Sequence, residues 1–267
     1  MQTNSNANTE YYDKMSSTYD EKHQIDMKDF SLFKRQMKKL MPKNYEWSGR
    51  KVLDCGCGTG RGALKFARMG CDVTAVDISS EIAKKCHENG LKAGYDIKTG
   101  AEDCRKLTFE DEAFDVVSTS AALHHMEDLE KCLSEFRRVT KAGGHLVLIG
   151  EPKQSSCRSE KRRLKKEELS AAYDLKVAGV KSTEINPDVY IFDIDELKKI
   201  LTGLGYKNIT VEYFFFVSSW YRDTLYFRIY NQKIRKFLLN FARILDTYVF
   251  FWLPEKCYSL FNLKAEK

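Results

Sequence analysis

Three glycines stand at alternate positions shortly after an apolar run that ends in an aspartate. The run is Val52–Asp54, and Gly56, Gly58 and Gly60 follow it. Only glycine lets backbone N–H groups approach a bound ligand closely, because it has no Cβ atom to clash. Asp77 stands about 20 residues further on, at the end of the next apolar run, where a carboxylate can accept both hydroxyls of a ribose. This spacing predicts a site for a nucleoside cofactor.

The glycine spacing also distinguishes between cofactors. A dinucleotide site requires a third glycine at the position that Arg61 occupies, because the following helix must pack closely beneath a pyrophosphate. Asp54, just before the turn, would repel a pyrophosphate but suits a cationic amine. An NAD(P)-linked oxidoreductase is therefore a disfavoured alternative.

Strand and helix patterns alternate along the chain, which predicts an α/β fold with a doubly wound sheet and helices on both faces. The predicted strands are Lys51–Cys55, Cys71–Asp77, Gly94–Lys98, Phe114–Thr119, His145–Gly150 and Lys207–Val217. Either Asp193 or Asp195 is expected to cap a helix that ends near Leu204, and either Glu127 or Asp128 to begin another. The glycine turn then joins the first strand to a helix.

Five segments follow one another in a recognisable order: Val52–Gly60 with Asp77, Thr99–Asp103, Ala113–Thr119, Ser120–Met126 and Leu133–Ile149. Together they resemble the motifs of class I S-adenosylmethionine (SAM) methyltransferases, most closely the branch that methylates quinone precursors and other small molecules. The resemblance is close from Lys51 to about Pro152. It implies a Rossmann-like mixed seven-stranded sheet with a Gly143–Gly144 turn before the fifth strand. It also implies a last strand, Tyr258–Lys264, that inserts antiparallel beside the sixth.

The same resemblance implies SAM as the cofactor. The glycine turn would hold the amino-acid part of SAM, Asp77 the ribose and Ala101–Asp103 the adenine. Tyr11 and Tyr19 belong to an N-terminal segment that resembles those folding over SAM, although packing tyrosines with exposed hydroxyls are the alternative. The cofactor-binding residues predicted in this way are Tyr11, Tyr19, Asp54, Cys55, Gly56, Gly58, Gly60, Asp77, Ile78, Ala101, Glu102, Asp103, Ser120 and Ala121.

His124 and His125 lie in the loop that resembles the edge of the family's methyl-transfer site. Methyl transfer is an in-line displacement that mainly needs proximity, alignment and a dry cavity. A general base is required only if the nucleophile must lose a proton, and histidine titrates in the right range. His125 and His124 are the predicted catalytic residues, with a role confined to the loop as the alternative. Glu151 is a further candidate base, and a surface or capping carboxylate is its alternative.

The segments around these motifs divide the chain into parts. We predict a helical N-terminal cap at 1–48, a SAM-binding core at 49–217 with a substrate-side insertion at 153–190, a helical insertion at 218–257, and the final strand at 258–267. The insertion at 218–257 is rich in aromatic residues and has seven basic and three acidic residues, a net charge of +4 out of the chain's formal +6. It is expected to pack on the protein's own core, to lie on an anionic membrane, to cover the substrate or to form a homodimer.

Composition narrows the partners and the location. A formal charge of only +6, without a recognisable RNA-binding module, argues against a nucleic-acid partner. No apolar run reaches the roughly 18 residues of a membrane-spanning helix. The eight cysteines form no C-x-x-C pairs, which favours reduced thiols in a cytoplasm and argues against a metal site.

These observations predict a SAM-dependent methyltransferase that acts on a small, apolar or aromatic metabolite. It is expected to be cytoplasmic, either free or peripheral to the membrane. The alternative is a protein that binds SAM or S-adenosylhomocysteine (SAH) without turnover and uses residues 218–257 for a partner or a membrane. Methylation at O, C, N or S stays open.

Overall fold

The computed structural model describes residues 30–153, 191–214 and 260–267, together with positions 234, 237–238, 241–242 and 245. Within this part the strands are β1 (Lys51–Cys55), β2 (Asp72–Asp77), β3 (Lys98–Ala101), β4 (Phe114–Ser120), β5 (Thr140–Pro152), β6 (Lys207–Phe214) and β7 (Leu260–Glu266). The helices are α1 (Phe30–Leu40), α2 (Ala63–Arg68), α3 (Ser80–Lys92), α4 (Leu129–Val139) and α5 (Ile194–Gly203), and a short 3-10 helix spans Leu123–His125.

These strands form one mixed sheet in the order β3-β2-β1-β4-β5-β7-β6. The first five are parallel, and β7 lies antiparallel between β5 and β6. The central strands are buried apolar runs because helices cover the sheet on both faces. The predicted Rossmann-like doubly wound sheet and the antiparallel insertion of the last strand are therefore confirmed.

Two clusters of buried apolar side chains fix the helices to the sheet. Successive residues of β1 point to opposite faces, so Leu53 belongs to one cluster and Val52 to the other. The first cluster includes Phe136 of α4 and Leu201 of α5, and the second includes Phe66 of α2. Full burial of a side chain of this size contributes about 1.5–3 kcal/mol, so apolar burial is what holds the helices in place.

Short polar side chains begin three of the described helices. The Ser79 hydroxyl accepts the N–H of Ile82 at the start of α3. Asp128 caps α4 by accepting the N–H of Lys131, and Asp193 caps α5. These caps satisfy N–H groups that have no partner inside the helix. Of the two alternatives predicted at each of α4 and α5, the structure thus selects Asp128 and Asp193.

The predicted position of the third strand is wrong by several residues. Residues 94–98 were expected to form it, but β3 runs from Lys98 to Ala101 and pairs with the second half of β2. Gly94 ends the turn after α3 with a φ of +82°, and Ile97 is a fully buried anchor just before the strand. Parallel pairing with β2 decides the register, although Gly100 is a weak strand former.

The fifth strand also begins earlier than predicted. Gly143 and Gly144 were expected to form a turn, but they lie within β5, which starts at Thr140. The pairing with β4 is irregular here. Between two consecutive pairs of residues, one residue of β4 lies opposite four residues of β5. The two glycines therefore form an irregularity in the strand rather than a turn before it.

The remaining predicted parts are only partly described. Helix α1 contacts β6 and β7, and Lys39 forms an ion pair with Glu212 at 3.0 Å. The described positions between 234 and 245 are helical. Most of the predicted insertions at 153–190 and 218–257 falls outside the described residues. No helix in the described part is both long and apolar enough to cross a membrane.

Candidate active site

The loops that follow β1, β2, β4 and β5 meet at one edge of the sheet because these strands are parallel. The strand order reverses at β1, which pairs with β2 on one side and β4 on the other. Ligands of doubly wound sheets bind in the crevice at such a point. The fold therefore brings the glycine turn, Asp77 and the histidine loop to the same crevice.

The turn after β1 is built from three glycines in the left-handed region. Their φ angles are +66° at Gly56, +53° at Gly58 and +105° at Gly60. A Cβ atom at Gly56 would lie 2.7 Å from the Cβ of Ala122, and one at Gly60 would lie 3.0 Å from the Sγ of Cys86. Backbone conformation and close packing thus both require glycine here.

A fourth glycine of this turn, Gly62, was missed in the sequence analysis. A Cβ atom there would lie 2.7 Å from Asp54 Oδ2 and 3.1 Å from the Cβ of Ser120. Gly62 therefore lets the start of α2 rest directly on the Asp54 carboxylate. Its signal was the continuation of the alternate glycine spacing by one further step.

The Asp54 carboxylate is completely buried under this turn. Its Oδ1 accepts a hydrogen bond from the Ser118 hydroxyl at 2.7 Å. Its Oδ2 accepts none of good geometry within the described residues, although the N–H of Ala63 lies near. Burial raises the pKa of Asp54 to about 6, while the Ser118 hydrogen bond opposes the rise. At neutral pH the turn therefore rests on a buried negative charge.

Asp77 at the end of β2 is held by two backbone N–H groups. Its Oδ2 accepts from Gly58 at 3.0 Å, and its Oδ1 accepts from Ser79 at 3.2 Å. These bonds tie the glycine turn to the start of α3, and Ile78 beside Asp77 is half-buried. A carboxylate oxygen has two lone pairs and can accept more than one hydrogen bond, so Asp77 is a preorganised acceptor beside the turn.

β3 ends at Ala101, which is exposed, and the segment with the two predicted adenine-side acids follows it. The Glu102 carboxylate accepts hydrogen bonds from the backbone and hydroxyl of Thr108. The Arg105 guanidinium binds the Asp103 carboxylate through two nitrogens and lowers the pKa of Asp103. Both predicted adenine-side acids therefore already have partners within their own loop.

The loop after β4 turns sharply toward the glycine turn. Ser120 ends β4, and Ala121 has a φ of +52°. The N–H of Ala121 donates to the backbone of β5 at 2.7 Å. The next residue, Ala122, would meet any side chain placed at Gly56. Ser120, whose Cβ would lie 3.1 Å from a Cβ at Gly62, and Ala121 thus belong to a loop that packs on the glycine turn, and their contact with a cofactor stays a prediction.

Glu151 organises this loop from the end of β5 and is completely buried. Its Oε1 accepts hydrogen bonds from the Thr119 hydroxyl at 3.2 Å and from the N–H groups of Ala122 and Leu123 at 3.1 and 3.0 Å. Its Oε2 lies 3.3 Å from the backbone N of His124 and 2.8 Å from its ring Nδ1. The carboxylate thus caps the 3-10 helix and holds the His124 ring.

The two predicted catalytic histidines differ in their surroundings. The His124 side chain is only 13% exposed, so its contact with Glu151 is largely shielded from water. The His125 ring lies beside it, with ring centroids 4.0 Å apart and planes tilted by 43°. The structure thus gives His124 a carboxylate partner and places His125 against its face.

Three other sequence predictions concern the Cys55 side chain, two N-terminal tyrosines and metal binding. The Cys55 side chain is fully buried in the core, which leaves only its backbone to face a ligand. Tyr11 and Tyr19 lie outside the described residues. Within the described part, no group of three or more His, Cys, Asp or Glu side chains is arranged to hold a metal ion.

The chain is similar to methyltransferases both in its domain and in its sequence. A family model described as "Methyltransferase domain" matches residues 53–148. The chain is 34% identical over 175 residues to the demethylmenaquinone methyltransferase of Paenarthrobacter aurescens strain TC1. That match covers 61% of this chain and 64% of the relative, so the chain spans less than two thirds of the relative's length.

Solved structures share the fold at low sequence identity. Phosphoethanolamine N-methyltransferase 2 of Haemonchus contortus, in complex with SAM, has a TM-score of 0.56 and 19% identity, covering 88% of this chain and 52% of that one. A SAM-dependent methyltransferase of Thermotoga maritima has a TM-score of 0.57 and 18% identity, covering 96% of this chain and 98% of that one. At these identities the likeness shows the fold alone.

Proposed function

We propose that this chain, whose residues 53–148 match a family model described as "Methyltransferase domain", transfers a methyl group from SAM to a small, apolar or aromatic metabolite. The proposal rests chiefly on the crevice at the carboxyl edge of the sheet. There a turn of left-handed glycines, the Asp77 carboxylate and a loop with two histidines converge. This arrangement would let a nucleoside cofactor and a proton acceptor share one crevice.

The residues of this crevice fit SAM in shape and charge. SAM supplies an electrophilic methyl group on a sulfonium, and it also carries an ammonium and a ribose. The Gly56–Gly60 backbone would hold the amino-acid part, and the buried charge of Asp54 suits the ammonium above it. Asp77 would accept the ribose hydroxyls. Since Glu102 and Asp103 are engaged within their loop, Ile78 and the Ala101 backbone would border the adenine.

The acceptor we propose is a hydroxylated aromatic ring of the quinol or phenol type. This class follows from the name of the Paenarthrobacter relative and is supported by the histidine loop at the crevice. Such a ring becomes a strong nucleophile once its hydroxyl loses a proton. A site that has a base and excludes water suits this chemistry. Methylation of a neutral amine needs no base, so the histidine loop favours the hydroxylated ring as the acceptor.

The test of the proposed function has two steps. Calorimetric titration with SAM, SAH and NAD should show micromolar binding of SAM and SAH and no binding of NAD. Transfer of a labelled methyl group from SAM to a panel of quinols, phenols and thiols should then identify an acceptor. SAM binding without transfer to any acceptor would support the non-catalytic alternative, and failure to bind SAM or SAH would overturn the proposal.

We also propose that the 218–257 segment brings the protein to an anionic membrane surface. Three large apolar side chains at described helical positions are exposed: Ile234 by 52%, Phe237 by 69% and Phe241 by 52%. Their spacing of three and four residues puts them on one face of a helix, and the surrounding sequence is basic. An apolar stripe with basic neighbours suits anionic bilayers.

Co-sedimentation with lipid vesicles tests this surface. The protein should bind vesicles that contain phosphatidylglycerol and not vesicles of phosphatidylcholine alone, and F237S with F241S should lose the binding. Leu91, an exposed apolar residue on α3, provides the matched control L91S. If the protein does not bind vesicles but forms a dimer, and F237S with F241S dissociates that dimer, the apolar face of Ile234, Phe237 and Phe241 is a homodimer interface instead.

A further inference from the structure

Within the described residues, every hydrogen-bonding partner of the Glu151 carboxylate can donate a hydrogen bond to it. They are three backbone N–H groups, the Thr119 hydroxyl and the ring Nδ1 of His124. A carboxylate oxygen accepts from N–H and O–H donors, and both oxygens of Glu151 receive such donors from the backbone. Glu151 therefore acts as an acceptor toward the His124 ring as well.

This environment decides the tautomer of His124. Because Glu151 accepts, Nδ1 must carry the hydrogen that bridges the 2.8 Å contact. In a neutral imidazole the other nitrogen, Nε2, then holds the lone pair. The backbone N–H of the same residue also donates to Glu151 at 3.3 Å, which fixes the ring and its main chain to one carboxylate. His124 is thus held as a ring whose Nε2 can take up a proton.

We propose that His124 is the general base of the reaction and that Glu151 is its positioning residue. This inference rests on the proposed methyl transfer. The acceptor's hydroxyl proton passes to Nε2 of His124, and the electron pair of the broken O–H bond, directly or through the ring, forms the bond to the methyl carbon. The electron pair of the broken S–CH₃ bond stays on sulfur, which gives SAH. The imidazolium is stabilised by the Glu151 carboxylate and later releases its proton to water.

The geometry assigns different roles to the two histidines. A base needs an orienting partner that fixes its tautomer, and a buried carboxylate on the opposite nitrogen is such a partner. Glu151 contacts His124 through both ring and backbone, and the His125 ring lies against the His124 ring. The sequence alone placed His125 first, because it could not show which ring meets the carboxylate. We infer that His125 packs His124 in place.

The first test reads the tautomer directly in the free protein. Nitrogen NMR of the histidine rings should show His124 with its proton on Nδ1 and an unprotonated Nε2. E151Q should reverse this pattern, because the glutamine amide donates to Nδ1 and drives the proton to Nε2. His87 provides the internal control, since its Nδ1 lies 2.9 Å from the Ile97 carbonyl and far from Glu151 in sequence. A proton on Nε2 of His124 in the unmodified protein would overturn the assignment.

The second test separates turnover from binding. H124N should lower kcat by about 100- to 10,000-fold, the usual contribution of a general base, while the SAH dissociation constant changes less than about threefold. E151Q should show a kcat loss of similar kind, and H87N should keep both values. If H125N loses more turnover than H124N, or if H124N keeps its kcat, the proposal is wrong.

The outcomes also distinguish this inference from the proposed function. If neither SAM nor SAH binds the unmodified protein, methyl transfer fails, yet the NMR result still decides whether Glu151 sets the His124 tautomer. If E151Q does not fold, as its thermal unfolding would reveal, H124N carries the kinetic test because it leaves the cap of the 3-10 helix intact. If the unmodified protein binds SAM and transfers methyl groups, and H124N keeps its kcat, then His124 is not the general base. The proposed methyl transfer would still stand in that case.

Discussion

Replacing Asp54 by asparagine should stabilise the free protein at neutral pH. Burial raises the pKa of this carboxyl to about 6 from an ordinary 3.8. Each pKa unit corresponds to about 1.4 kcal/mol, so ionising Asp54 costs the folded protein about 3 kcal/mol at pH 7. Asparagine has the same shape and no charge. Imperfect hydrogen bonding to Ser118 would offset part of the gain, and we expect a net stabilisation of about 1–3 kcal/mol.

The pH dependence follows from the sign of the shift. The folded protein holds the Asp54 proton more tightly than the unfolded chain, so between about pH 4 and pH 6 the folded state binds more protons. Its stability therefore falls as pH rises through this window. Below about pH 4 the carboxyl is neutral in both states and the penalty vanishes. The advantage of D54N should thus be largest near pH 7 and disappear toward pH 4.

Urea unfolding followed by circular dichroism, at a series of pH values from about 4.5 to 8, measures this difference. D72N is the matched control, because Asp72 is exposed and its pair with Lys98 lies at the surface, where such pairs contribute about 0–1 kcal/mol. If D54N is less stable than the unmodified protein at pH 7, and the gap does not change with pH, the reasoning from burial is refuted.

Three further changes test individual contacts. G56A should destabilise the protein by about 3 kcal/mol in urea unfolding, because its Cβ meets Ala122 at 2.7 Å and the φ is positive; G94A, with positive φ but open space around it, should cost only about 1 kcal/mol. Equal losses would exclude the contact as the cause. D77A should raise the SAH dissociation constant about 10- to 100-fold in calorimetry, since hydrogen bonds to a charged acceptor contribute about 1.5–3 kcal/mol; an unchanged constant would remove Asp77 from the site. Y206F should cost about 1 kcal/mol of unfolding free energy because it deletes the buried hydrogen bond to the Leu133 carbonyl, and a larger loss would point to disturbed packing.

Much of the fold was predictable because its signals are local. A buried parallel strand is an apolar run, a helix begins at a short polar side chain, and a left-handed turn selects glycine. These rules located β1, β2 and β4 to within about a residue and put the candidate caps at α4 and α5. The same local rules singled out Asp54 and Asp77, since both end apolar runs.

The predictions failed where the register between strands decided the outcome. β3 was placed too early because Gly100 in the middle of the strand has weak strand propensity, and pairing with β2 makes this segment a strand. The Gly143–Gly144 pair has the local appearance of a turn but lies within β5. In both places tertiary pairing overrides local preference.

The sequence by itself determined which chemistry the crevice suits. The glycine spacing and the carboxylates of Asp54 and Asp77 all lie within one strand–turn–helix–strand unit, so their relation is local in sequence. Only the tertiary structure decided how the residues act on one another. Glu151 reaches His124 across 27 positions of sequence because β4 and β5 are parallel neighbours whose carboxyl ends lie side by side. Asp54 meets Ser118 across 64 positions for the same reason. No local pattern contains these contacts, since strand pairing alone sets the distance between residues that far apart.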